Sequence, residues 1–187
     1  MTQLSATIRI PTLLCAATLL TMALVATAVA DESEKAAPTV SEQVLGLEAM
    51  CAENSEAMAT RQAEKSLYER LGGKEKIHAI VTEVVRLHGV NDDIKHFLDG
   101  VDQKHLIDMV TEFLVVGTGG PGEYTGRSMV DSHAYLELTN ADFLTAGSDI
   151  MQAMNNKECG EAEIQEVICA LVSLRDQVVI ESEKVVQ

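Results

Sequence analysis

Five histidines, four cysteines and a surplus of carboxylates are the side chains of this 187-residue sequence that can do chemistry. The histidines differ in setting. His78, His88 and His96 stand beside charged or loop residues and read as exposed imidazoles. His105 falls about 100° from Leu106 on a helical wheel, off the apolar side. His133 shares the inward side of a short helical stretch with Met129 and Leu136, directly after a glycine-rich loop. An inward imidazole can ligate a metal through one ring nitrogen. It can equally be a core histidine with a satisfied hydrogen bond, and spacing alone leaves both readings open. No His-Glu-x-x-His or Cys/His pair has zinc spacing, and no Cys-x-x-Cys redox pair occurs. The acids are spread over helix-exposed positions, which reads as a solvated face rather than paired catalytic carboxylates. Gly117-Thr118-Gly119-Gly120-Pro121-Gly122 lacks a preceding strand and a following Lys-Ser/Thr, so it reads as a hinge rather than a phosphate cradle.

The elements that must position His133 are helical. Apolar residues make up 47% of the chain, but aromatics only 3%, so Leu, Val, Ile, Ala and Met must fill the interior. A first short helix from near Ser66 ends at Gly72-Gly73. A second runs from about Lys74 to His88 with Ile77, Ile80, Val81, Val84 and Val85 on one stripe. After a polar break at Asn91-Asp92-Asp93, a turn holds Ile94, Phe97 and Leu98. A third helix spans about Asp102 to Gly117. Taking Leu106 as zero, Val110 falls at about 40°, Phe113 at about −20° and Leu114 at about 80°, so one face is apolar. A short helix over about Ser128 to Tyr135 carries His133. Thr139 with Asp142 opens a helix to about Asn155 that bears Phe143, Ala146, Ile150, Met151 and Met154. A last helix is expected from about Glu161 to Ile180. No stretch alternates as a strand would, so the expected class is all-α.

Charge and cysteine content bound the partners and the compartment. The formal charge of −15 leaves no basic surface for nucleic acid or an anionic membrane. Residues 1–30 have the layout of a secretory signal peptide: Arg9, an apolar run from Pro11 to Val25, and Ala28-Val29-Ala30 before Asp31. The apolar run is short for a bilayer span, so cleavage, a periplasmic or secreted product and no stable membrane association thereafter are expected. Residues 31–64 read as an acidic linker or N-terminal extension, with a weak helical pattern from Ser41 onward, and 65–187 as the folded domain. Beyond residue 30 the cysteines are Cys51, Cys159 and Cys169, which in an oxidising compartment allow at most one internal bridge. The sequence does not say which pair.

Together these residues carry a resemblance. Ser66-Leu67-Tyr68-Glu69-Arg70-Leu71-Gly72-Gly73, then Gly119-Gly120-Pro121 with Tyr124 and Gly126, then Met129 to His133 leading to Leu138-Thr139 and Phe143, are similar in order and spacing to a group 1 truncated haemoglobin. The resemblance covers about residues 66–180 and implies the two-over-two globin fold. It implies non-covalent haem b, whose iron His133 would ligate from the proximal side while its other ring nitrogen donates to a carbonyl or similar acceptor. Met129, Leu136 and Phe143 would line the proximal face, Tyr124 would be the loop tyrosine, and Phe97 would stack on the macrocycle. On the distal side this chain departs from the family. Leu106, Val110 and Val85 occupy positions that in many members hold polar groups near the ligand, so tight oxygen binding is put in doubt. Met109 falls where some relatives carry a second histidine ligand; a thioether can ligate iron, but a core Met commonly just fills space. The implied activity is reversible binding of oxygen or another diatomic ligand, an oxygen-carrier type. The alternative is a periplasmic haem redox protein handling nitric oxide, nitrite or peroxide, which would need an external reductase because no flavin or nicotinamide motif is present. A helical module that has lost haem is a third reading, opposed by His133 and Phe143.

Overall fold

Each helix that frames the site begins at a residue able to satisfy its free amides. The computed structural model describes residues 37–179. The expected signal peptide, residues 31–36 and the chain after Val179 lie outside the described residues. Thr39 and Glu42 form a reciprocal capping box at the start of α1 (Val40–Glu64). Ser66 and Glu69 do the same for α2 (Leu67–Arg70), and Thr139 and Asp142 for α6 (Asn140–Asn156). Asp102 caps α4 (Gln103–Gly117) through the His105 amide, and Ser128 caps α5 (Met129–His133) through that of Asp131. Between α2 and α3 (Gly73–His88) the chain turns on Gly72 and Gly73, both left-handed with φ of 91° and 81°, where a side chain would be strained. A single 3-10 turn, Lys95–Leu98, joins α3 to α4. No strand forms among the described residues; Leu138 and Val179 make one isolated parallel bridge.

The helices pack as two pairs. α3 lies along α4, α6 along α7 (Glu161–Val172), and the pairs meet mainly through α3 and α6. Leu67, Leu71, Ile77, Ile80, Val81, Val85, Val115, Met154 and Val167 form the shared core. This is the all-α class expected from the helical periodicities, in the two-over-two arrangement that the resemblance implies.

One expectation is corrected, and one that was left open is decided. The last helix does not run to Ile180: α7 stops at Val172 and a separate turn, α8 (Arg175–Val178), follows. The Ser173 hydroxyl donates to the Ala170 carbonyl, and Arg175 turns back so that its Nε donates to Oδ1 of the buried Asn140 at 2.7 Å. That return sets α8 against α5. The segment left between linker and extension is, over residues 40–64, a 25-residue helix packed on α6 and α7. Its own apolar stripe is poor, with Val44 alone fully buried. Links to α7 hold it instead. Cys51 is bonded to Cys169 with Cα atoms 5.4 Å apart, and Arg61 meets Glu166 at 2.5 Å. Arg70 joins the same carboxylate and also pairs with Glu163 at 2.8 Å. Among the described residues Cys159 is the free thiol, and burial pushes its pKa up, which favours the protonated, less reactive form.

Candidate functional site

His133 is the last residue of α5 and is half-buried. Its Nδ1 lies 2.8 Å from the carbonyl oxygen of Met129, one turn earlier. A carbonyl can only accept, so Nδ1 carries a proton, and in the neutral ring that leaves Nε2 as the nitrogen with a lone pair to offer. Nε2 has no hydrogen-bond partner among the described residues. An imidazole oriented in this way, with one nitrogen in reserve, is how proteins prepare a metal ligand.

The loop that delivers α5 is fastened on its way. Gly120 donates its N–H to the Val115 carbonyl at 2.7 Å, and a Cβ there would stand 2.5 Å from the Tyr68 ring, so only glycine fits. The Tyr124 ring meets Phe113 edge-on with centroids 5.3 Å apart. Burial, with the Glu112 charge beside it, raises the Tyr124 pKa, so its phenol stays protonated. Glu112 on α4 accepts both the backbone N–H and the hydroxyl of Thr125, each at 2.9 Å. These two bonds hold its carboxyl below the usual carboxylate range.

The expected lining residues fall into two sets. Val85 is only 5% exposed and belongs to the core, and Leu106 and Val110 pack against that core from α4. Phe97, Met109, Met129, Leu136 and Phe143 are half-buried and lie outside it. Phe113 joins this second set, so all three phenylalanines of the chain, its bulkiest wholly apolar side chains, are withheld from the protein core. A 187-residue chain without Trp would ordinarily spend them there. Leu98, in contrast, packs on the core, which leaves Phe97 as the ring of that turn available to a ligand. The Phe97 ring lies against that of His96, tilted by 39° with centroids 4.0 Å apart.

The donor set fits haem. No group of three or more His, Cys, Asp or Glu side chains able to hold a bare ion occurs among the described residues, so the single free imidazole nitrogen suits a metal that brings its own macrocycle. The half-buried phenylalanines supply flat apolar surface suited to such a ring.

The expectation for His88 is corrected. It is half-buried, its Nδ1 lies 2.9 Å from Oδ2 of Asp149, and Asn91 donates to both oxygens of that carboxylate at 3.1 and 3.0 Å. Asp149 is only 7% exposed, so this cluster ties the end of α3 to α6. Sequence reasoning missed it because the partners are 61 residues apart and Asp149 falls inside an ordinary amphipathic pattern. His78, His96 and His105 are exposed as expected.

Comparison with known proteins agrees with this geometry. Residues 66–179 match the family model described as bacterial-like globin. A group 1 truncated haemoglobin of Tetrahymena pyriformis is 32% identical over 79 residues, which are 42% of this chain and 65% of that protein, so the alignment spans just under two thirds of the relative. One from Mycolicibacterium paratuberculosis is 24% identical over 119 residues, 63% of this chain and 88% of the relative. The crystal structure of the Tetrahymena pyriformis truncated haemoglobin in its Fe(III) form superposes with a TM-score of 0.59 at 25% identity, covering 62% of this chain and 98% of that one. The two-over-two haemoglobin of Synechococcus shares the fold, with a TM-score of 0.59 at 23% identity over 62% of this chain and 99% of its own. With more than half of its length matched and the helix pairs in the same arrangement, this chain belongs to the bacterial-like globin family, in its group 1 truncated form.

Proposed function

We propose that the chain holds haem b through His133 and binds oxygen or another diatomic ligand reversibly. The observation that carries this is the His133 imidazole, oriented by the Met129 carbonyl with Nε2 in reserve, in a domain that keeps its three phenylalanines out of the core. When bound, the haem iron supplies one coordination position for His133 and one for an exchangeable ligand. The protein's part is to hold the imidazole directed, through the Nδ1–H bond to Met129. Phe97, Phe113 and Phe143 supply apolar surface, and Tyr124 braces Phe113. By resemblance to the family, Val85, Leu106 and Val110 face the ligand, and none offers a hydrogen bond. Oxygen is therefore held weakly, and a ligand with little charge such as carbon monoxide suffers less. Met109, half-buried and outside the core, is the side chain of α4 available as a second iron ligand.

The signal-like residues 1–30 and the Cys51–Cys169 bridge support a periplasmic or secreted location. Absorbance spectra of the purified protein, ferric and ferrous, with and without carbon monoxide, test the reading. A Soret band that shifts with carbon monoxide is expected. Protein that takes up no haem on reconstitution with hemin overturns it.

A further inference from the structure

α5 is five residues long, too short to hold its own conformation, so the position of His133 depends on what fixes the two flanks of that turn. On the far side, α8 packs against α5, Leu138 bridges to Val179, and Arg175 donates to Asn140. On the near side the connection leads from α4. It is seated at Gly120 by steric fit and by the backbone bond to the Val115 carbonyl, and at Tyr124 by an aromatic edge contact. Apolar contacts of that kind tolerate small slides, whereas hydrogen bonds are directional. Among the described residues, Thr125 is the point at which the connection is tied to an α4 side chain by hydrogen bonds. Gly126 lets this fold close, because a Cβ there would lie 2.2 Å from the Tyr124 hydroxyl oxygen. Three residues beyond Thr125, Ser128 caps α5.

We propose that Glu112 is a positioning residue for His133: a carboxylate on α4 that takes both polar hydrogens of Thr125 and thereby sets where the loop delivers α5 and its imidazole. The proposal rests on the haem-binding reading of His133. It gives Glu112 a role beyond loop stability, because α4 also carries Leu106, Met109 and Val110. One carboxylate thus sets the spacing between the helix bearing those side chains and the helix bearing the imidazole.

The test compares the full-length wild type with Glu112→Ala, Glu112→Gln and Thr125→Val. Three quantities are read: amide hydrogen exchange at residues 124–128, the iron–histidine stretching band of the ferrous protein in resonance Raman spectra, and the rate of haem loss to an excess of apomyoglobin. Glu112→Ala is expected to deprotect the loop amides, shift the band and speed haem loss about tenfold. Glu112→Gln keeps an amide oxygen that can accept both hydrogens but lacks the charge that strengthens those bonds, and should fall between the wild type and Glu112→Ala. Thr125→Val keeps the backbone donor alone and should fall between. If Glu112→Ala deprotects the loop yet leaves both the band and the haem-loss rate unchanged, the contact is merely structural and the proposal is overturned. Wild-type protein that takes up no haem would instead sink the haem-binding reading itself, an outcome visible before any variant is made.

Discussion

The two sides of the proposed haem site are built by different physics. On the α3–α4 side, Val85 lies in the core and Leu106 and Val110 pack on it, so position is set by close packing without direction. On the α5 side, directed hydrogen bonds are added to the packing of α8 and the Tyr124–Phe113 contact: Ser128 to Asp131, His133 to Met129, Thr125 to Glu112 and Thr139 to Asp142. Packing tolerates a change of apolar residue at the cost of some volume mismatch, while a directed ligand needs its angle fixed. The chain therefore spends its polar bonds where orientation matters. It leaves the other side apolar, which suits weak and unselective holding of a small ligand.

The comparison can be broken at its strongest point first. His133→Ala should abolish stable haem binding, read as loss of the Soret band after reconstitution; retention of wild-type affinity would mean that another residue is the ligand. Next in size is Gly120→Ala, which puts a Cβ 2.5 Å from the Tyr68 ring and 2.7 Å from the Val115 carbonyl oxygen. It should cost roughly 1–3 kcal/mol in thermal or denaturant unfolding, because backbone must move to admit it. The packed side is sharpened by Leu106→Gln, which places a donor on a half-buried α4 position without entering the core that holds Val85. Oxygen dissociation in stopped flow should slow by about tenfold, with carbon monoxide little changed. If the wild type already releases oxygen slowly and Leu106→Gln changes nothing, another group supplies the polar contact. Met109→Ala in the same assay converts a six-coordinate ferrous spectrum to five-coordinate if the thioether ligates, and leaves a five-coordinate spectrum unchanged if it only fills space.

The smallest effect concerns pH. The Glu112 carboxyl is held below its ordinary value of 4.5 by the two Thr125 bonds. A carboxyl depressed on folding contributes stability above its unfolded value and loses it as pH falls through the folded one. Protection of the Thr125 amide against hydrogen exchange should therefore persist at pH 5 and drop only below the ordinary carboxylate range. Loss of protection between pH 6 and 5, with the rest of α4 unchanged, would show that the carboxylate is not what holds the loop.

Several helices were legible because their signals are local. The stripe Ile77, Ile80, Val81 and Val85, the Thr139–Asp142 capping box, and the Gly72-Gly73 break each act within a few residues, and the observed α3, α4 and α6 end within a residue or so of their expected bounds. The last helix was misjudged because its apolar period runs through Ser173 and Leu174, while the break is set by Arg175 reaching Asn140, 35 residues earlier. α1 was ambiguous for a similar reason. Its residues bury little, and what docks it is a bond to Cys169, 118 residues away, and an ion pair to Glu166, 105 residues away.

By itself the sequence determined the helical class, the candidate imidazole at position 133 with its glycine-rich approach, and an apolar face at Leu106 and Val110, because periodicity, capping and backbone freedom are properties of neighbouring residues. Tertiary structure alone decided which cysteines pair, that His88 meets Asp149, that the phenylalanines stay out of the core, and that Glu112 holds Thr125. Each of these is a meeting of groups on different elements or across a loop. A meeting of that kind takes its free energy from the whole packing arrangement, which no local pattern encodes.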